Sequence, residues 1–271
     1  MTGRPVSILL VAALGVAPAP VATAGQLEPA PEGLDARAIA ERVEDVFRGD
    51  SSYLEATMTV VSPRLPAPRE VRFKAWDDRP RKRSFIRILA PAKDRGMGFL
   101  KLHPNLWNYI PRVERTIRVP PSMMLQSWMG SDFTNDDLVR DSSQLDDYDH
   151  ALLGVDPEGG GDVSREGARA FVLEYRPHED APVVWGRIVT WVEAERYAPL
   201  RQEFYDEGGE KLRLMRFGDI REVQGRSYPH AWSMVPLDKE GHETRIQVHA
   251  VRFDEVFDDT IFTKRNLTRR E

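Results

Sequence analysis

Residues 54–89 read LEATMTVVSPRLPAPREVRFKAWDDRPRKRSFIRIL. Apolar side chains recur at every second position: Leu54, Ala56, Met58 and Val60, then Val71, Phe73 and Ala75, then Ile86 and Ile88 opposite Phe85, Arg87 and Leu89. An extended chain sends alternate side chains to opposite faces, so this stretch predicts three successive antiparallel strands. Similar runs follow at 97–102, 106–110, 115–119, 170–175, 184–193, 200–205, 211–217, 230–237 and 244–253. The joints carry turn chemistry, among them Asp94-Arg95-Gly96, Pro104-Asn105, Glu207-Gly208-Gly209 and Lys239-Glu240-Gly241. The pattern predicts a mainly β fold, an antiparallel sheet curved into an open, incomplete barrel of about ten or eleven strands.

Ahead of the strands, Arg4, the apolar run Val6–Val16 and the Ala22-Thr23-Ala24 triplet have the form of a cleaved export signal over residues 1–24. The apolar run is too short to span a bilayer, and the expectation is an exported, soluble protein. Residues 25–33 (GQLEPAPEG) read as a Pro/Gly linker, and 34–271 as a single domain. Asp35 is placed to cap a helix whose Ile39, Val43, Val46 and Phe47 share one face before Gly49 ends it.

With 41% hydrophobic and 30% charged residues among 271, the chain can bury a core. It has no cysteine, which excludes disulfides, Cys-based metal sites, thiol nucleophiles and a lipidated N-terminal Cys. A net charge of -5 argues against nucleic acid as the partner.

One segment breaks the strand rhythm, residues 120–141, PPSMMLQSWMGSDFTNDDLVRD. Pro121 suits the first turn of a helix, Met124/Trp128 and Leu125/Met129 are four apart, and Gly130 would end it; Thr134 and Asp137 then form a capping-box pair for a second short helix. From pattern alone the segment is either an adaptable apolar lid, for which methionine is suited, or an ordinary core plug.

Residues 87–148 resemble the LolA-like outer-membrane lipoprotein-sorting proteins. The resemblance is carried by Ala90–Gly96, by Leu106-Trp107-x-Tyr109-x-Pro111, and by Gln126-Ser127-Trp128-Met129-Gly130-Ser131-Asp132-Phe133. Asp258–Thr263 is similar to the family's closing segment, and Trp76-Asp77-Asp78-Arg79-Pro80 to the Trp-x-x-Arg-Pro step of its carrier branch. It implies short lid helices over an apolar cavity that accepts acyl chains. Phe85, Phe99, Trp107 and Tyr109 become candidate walls, and Met123, Met124, Leu125, Trp128, Met129 and Phe133 candidate lid residues. By position Arg79 would latch the lid; the alternative is a surface charge in the run Arg79, Arg81, Lys82, Arg83 and Arg87. Because faces alternate, only one of Trp107/Asn108 and one of Tyr109/Ile110 can point inward. The chain departs from the carrier branch at Arg83 and in an insertion-like stretch over 150–185.

The resulting expectation is a monomeric periplasmic carrier without cofactor, metal or enzymatic activity, which delivers lipid or acylated lipoprotein between the inner membrane and the outer membrane or a transporter partner, with an inner-membrane transporter and an outer-membrane acceptor as partners. Two other classes are an adaptor subunit of a lipid exporter with a filled barrel, and an all-β hydrolase. Asp146-Asp147-Tyr148-Asp149-His150 lacks the second histidine a metal site would use, and none of the common nucleophile, phosphate-loop or zinc motifs is present.

Overall fold

The computed structural model describes residues 27–139, 144–160, 168–181 and 183–269. The expected leader, 1–24, lies outside them. Among the described residues thirteen strands, rather than ten or eleven, form one antiparallel sheet that does not close into a barrel. They are β1 Ser51–Val61, β2 Arg69–Asp78, β3 Arg83–Ala90, β4 Gly98–Leu102, β5 Asn105–Ile110, β6 Arg115–Arg118, β7 Tyr148–Asp156, β8 Ala170–Pro177, β9 Arg187–Glu193, β10 Pro199–Tyr205, β11 Lys211–Val223, β12 Arg226–Pro236 and β13 Glu243–Phe253. The sequence pattern missed β7. Its start is masked by the acidic run at 146–150, and a register shift between Leu152 and Gly154 breaks its alternation. The stretch 150–185 is therefore not a simple insertion, since it holds most of β7 and all of β8.

The spatial order is β6-β5-β4-β3-β2-β1-β13-β12-β11-β10-β9-β8-β7. Two hairpin-connected runs meet in the middle, where β1 pairs with β13 from Ser52↔Phe253 to Val61↔Glu243. Consecutive strands β6 and β7 thus lie at opposite edges, and the chain between them has to travel from one edge to the other; its described residues, 119–139 and 144–147, are here termed the strap.

The α1 helix, Ala36–Phe47, starts where expected: the Asp35 carboxylate accepts a hydrogen bond from the Arg37 amide at 2.9 Å. Its buried Ile39, Ala40 and Val43 pack on Tyr148, Phe171, Leu173, Ile188, Val192 and Phe204, covering the β7–β10 half of one face. This is the inner face. Its other half, with Ala56, Met58, Val60, Val71, Phe73, Ile88 and Phe99, packs against strap residues Trp128, Met129 and Phe133. The expected linker is tied down in part, because Glu28 exchanges two backbone hydrogen bonds with Val155 of the edge strand β7 (2.8 and 2.9 Å).

Phe85, Leu100 and Tyr109 alternate with the inner-face residues and so point to the outer face, where Phe262 and Leu267 cover them. Those two come from a 3-10 turn (Asp259–Phe262) and the short α3 helix (Lys264–Leu267). The close approach depends on Gly98, since a Cβ there would lie 2.6 Å from the Leu267 Cδ1 atom. Arg87 is buried, not part of a solvated run. Its guanidinium donates to the carbonyls of Gly96 (2.8 Å), Leu267 (3.1 Å) and Asn266 (2.6 Å), holding α3 on the sheet. Replacing the fully buried Leu267 by Ala is expected to cost about 2–5 kcal/mol, read as a lower denaturant midpoint in equilibrium unfolding.

Candidate functional site

The strap crosses the inner face in steps that follow the strand order. Trp128 stands edge-on to Phe73 of β2 (centroids 5.8 Å apart) and near-perpendicular to Phe99 of β4 (5.6 Å). Asp132 then bonds Thr244 of β13: its amide donates to the Thr244 hydroxyl (3.0 Å), which donates to the Asp132 carboxylate (2.7 Å). Further on, Asp137 accepts from Arg213 of β11 (3.2 and 3.3 Å), and the Gln144 side-chain oxygen accepts from Gln202 of β10 (3.3 Å). At the far end Arg37 of α1 donates to the Leu145 carbonyl at 2.8 Å.

The strap is less helical than its spacing suggests. Pro121–Met123 forms a single 3-10 turn, and no helix continues through Met129. Instead, the chain reverses: Trp128 donates to the Phe133 carbonyl (2.7 Å), and Met129 and Gly130 both adopt positive φ (51° and 69°) at the reversal. The Ser131 hydroxyl donates to the Trp128 carbonyl (2.7 Å), a local bond that competes with helix. The second helix, α2 (Asn135–Val139), forms as expected, with the Thr134 amide donating to Asp137 (2.8 Å) and the Asp137 amide to the Thr134 hydroxyl (3.2 Å).

Between strap and sheet lies a cavity of about 300 Å³. Leu54, Phe73, Ala75, Ile86, Trp128, Phe133, Phe204, Met215, Trp232 and Ile246 give it apolar walls, while Asp137, Arg213, Gln144 and Gln202 supply its polar groups. The Arg213 guanidinium is paired to Asp137 and also lies 4.9 Å from the Trp185 ring centroid, so it is held on two sides. One apolar compartment with few polar groups is the composition of a site for an amphiphile.

Only part of the expected site assembles here. Trp128 and Phe133 line the cavity, Phe99 backs Trp128, and Met129 packs on the same core. Phe85, Trp107 and Tyr109 lie instead in the outer-face cluster beneath the C-terminal segment, because their alternation phase is opposite to that of Ile86, Phe99 and Leu106. Met123 and Leu125 are exposed (40% and 64%), and Met124 is half-buried. Arg79 does not reach the strap. It pairs with Glu44 (3.3 Å) and Asp50 (3.4 Å), fastening the β2–β3 turn to the end of α1. Arg81 and Arg83 are likewise engaged, with Asp78 and Asp259. The apolar wall residues missed, Leu54, Phe73, Ala75, Ile86, Phe204, Met215, Trp232 and Ile246, all sit in strands that the period-2 pattern locates, and what the pattern lacks is the phase. Among the described residues no group of three His, Cys, Asp or Glu side chains is placed to hold a metal ion, and no helix is long and apolar enough to cross a membrane.

His150 shares the strap's far anchor, with its Nε2 2.8 Å from the Gln144 carbonyl and its ring against Tyr175. Burial pulls its pKa below the ordinary 6.5, and Arg37 adds to this, against a smaller upward pull from the Gln144 hydrogen bond. A depressed folded pKa means the unfolded chain binds the proton more readily. His150 therefore contributes stability at pH above 6.5 that is lost as pH falls through its lower folded value. The melting temperature is expected to fall on acidification from neutrality toward pH 5, and to fall less in His150→Gln. For Arg79→Leu the expected result is a loss of about 1 kcal/mol, or roughly 2–4 °C in Tm, with the strap undisturbed in hydrogen exchange.

A family model described as uncharacterized-protein-like matches residues 80–269. No curated protein matches significantly. Among solved structures, a DUF1329 family protein from Desulfovibrio piger is 23% identical, with a TM-score of 0.74 over 86% of this chain and 97% of that one. A LolA superfamily protein from Nitrosomonas europaea is also 23% identical, with a TM-score of 0.68 over 86% of this chain and 99% of the other. A domain named for outer membrane lipoprotein sorting, from Vibrio parahaemolyticus, is 23% identical with a TM-score of 0.70 over 86% and 98%. The chain belongs to the uncharacterized-protein-like family whose model covers residues 80–269, and its open β-barrel-like fold is LolA-like.

Proposed function

We propose that this chain is a non-enzymatic periplasmic carrier that shelters the acyl chain of a lipid or lipoprotein in the cavity beneath the strap. The carrying observation is that cavity, with ten apolar wall residues and the Asp137–Arg213 pair and Gln144–Gln202 contact among its lining groups. Leaving an acyl chain in water costs about 0.8 kcal/mol per methylene, so transfer through an aqueous compartment requires an apolar compartment to receive it. The apolar walls would take the chain, and Arg213, Gln144 and Gln202 the ester or amide oxygens at its head. The similarity to a domain named for lipoprotein sorting supports the same class of cargo.

Cargo entry requires the strap to lift. Its hold on the middle of the sheet rests on Trp128, Met129 and Phe133 packed on the inner face and on a few polar contacts at Asp132 and Asp137. Such a segment can open locally while the sheet stays intact. Loading from an inner-membrane transporter and release to an outer-membrane acceptor would each act by favouring the lifted state.

The test is native mass spectrometry of the protein purified without detergent, with extraction and identification of bound molecules. Stoichiometric lipid or acylated peptide is expected; empty protein that also fails to take up a fluorescent fatty acid would reject the proposal. Ala75→Phe, which adds a ring on the cavity wall, is expected to lower fatty-acid uptake about tenfold or more, with the fold retained in circular dichroism.

A further inference from the structure

The edge at which the strap begins carries a feature the cavity does not use. A cleft of about 540 Å³ is lined by Ile88, Leu89, Ala92, Tyr109 and Pro111 and ringed by Lys93, Arg95, Arg112 and Arg269, with no acidic residue among the described residues of its lining. All four cations are exposed, and none forms a side-chain hydrogen bond or ion pair with a described residue. In contrast Arg48, Arg79, Arg83 and Arg226 are each paired with a carboxylate. Four cations around one recess with no carboxylate partner among the described residues, in a chain whose net charge is -5, mark a locally positive surface. Arg269 also lines a wider adjoining recess with Arg265, Thr260, Thr263 and Asn266, which extends that surface along the C-terminal segment.

The adjoining edge is apolar as well as basic. Along β6 and the turn before it, exposed Val113 (58%) and Ile117 (47%) alternate with Arg112, Arg115 and Arg118. Strand pairing puts Arg118 opposite Trp107, on the outer-face side, and Ile117 and Arg115 opposite Asn108 and Ile110, on the other, so a cation flanks the edge on both sides. The strap leaves this edge through exposed Met123 and Leu125. Of the eight large apolar side chains exposed among the described residues, these four fall within residues 113–125. The only acid on 111–119 is Glu114, and Asp94, beside the cleft, pairs with Arg69 (3.9 Å). An edge strand with paired neighbours on one side and charges on the other resists pairing with another strand. Interleaved cations and protruding aliphatic side chains, however, also match a lipid interface, with charge at headgroup depth and aliphatic groups just below it.

We propose that the β5–β6 edge docks onto the surface of an anionic phospholipid bilayer, with a phosphate-bearing headgroup seated among Lys93, Arg95, Arg112 and Arg269. An acidic protein would answer the charges but leave Val113, Ile117, Met123 and Leu125 without a role, which is why the bilayer is favoured. Docking there would bring the start of the strap to the membrane. The proposal deepens the carrier reading by naming where the chain meets its lipid source, yet the surface can be measured without any cargo.

The experiment is flotation of the full chain with phosphatidylcholine vesicles, with and without phosphatidylglycerol, at low and high sodium chloride. Binding is expected only with phosphatidylglycerol, weakening as salt rises. The double variant Arg95→Glu/Arg112→Glu is expected to lower partitioning more than about tenfold, and Ile117→Ser to lower it several-fold while leaving the salt dependence in place. The proposal is overturned if the wild type fails to float, if it floats equally on phosphatidylcholine alone, or if the double variant floats like the wild type. It is also overturned if inorganic phosphate strips the protein from vesicles far better than sodium chloride of equal ionic strength, since the cleft would then be a site for soluble phosphate compounds. Uptake of a fluorescent fatty acid from solution separates the two proposals. The double variant should keep that uptake, and Ala75→Phe, if it loses uptake, should still float.

Discussion

The structure turns on one topological constraint: strands adjacent in sequence, β6 and β7, occupy opposite edges of a sheet that does not close. A hairpin cannot join them. The connection has to run over a face, and the inner face is the one rich in uncovered apolar side chains once α1 has taken the β7–β10 half. Crossing that face places Trp128 on β2 and β4, Asp132 on β13, Asp137 on β11 and Gln144 on β10. The cavity is the space this crossing leaves. A sheet of the same sequence pattern joined by short turns throughout would have no lid.

The two faces are covered by different means, and the difference matters for function. The outer face is closed by Phe262 and Leu267, locked in place through three hydrogen bonds from the buried Arg87 to carbonyl oxygens. A buried guanidinium without those partners would be very costly, so this side is fixed. The inner face is closed by a strap whose Trp128 indole N–H is buried with no hydrogen-bond partner among the described residues, and whose polar anchors are spaced several residues apart. Trp128 is held there by ring packing, not by directional bonds. One face is thus closed by directional hydrogen bonds and the other chiefly by apolar packing.

Much of this was legible in the sequence, and the failures have physical causes. Alternation located every strand except β7 and identified 120–141 as the break in the run of strands. It could not set the phase, because Phe85, Trp107 and Tyr109 are as apolar as Ile86, Phe99 and Leu106, and both faces of β3–β5 are buried. When both faces are covered, hydrophobicity carries no information about direction. Arg79 was assigned by its place beside Pro80, but its partners, Glu44 and Asp50, come from α1 and the loop after it, and nothing local in 76–80 encodes them. The polar residues of the cavity, Gln202 and Arg213, look like ordinary strand residues until the strap brings Gln144 and Asp137 against them.

The pairing of β1 with β13 has a further consequence, for synthesis. The first strand made and the last are neighbours, with Ser52 opposite Phe253, so the sheet is two separate ribbons until nearly the whole chain has emerged. Contacts of such long sequence separation carry a large loop-closure cost and slow the search for the native state. Until they form, Ala56, Met58 and Val60 have no β13 beside them, and an apolar ribbon with an open edge is a substrate for chaperones and for aggregation. The inner-face compartment, which β13 helps to wall, is thus itself completed late, after the strap and both ribbons are in place.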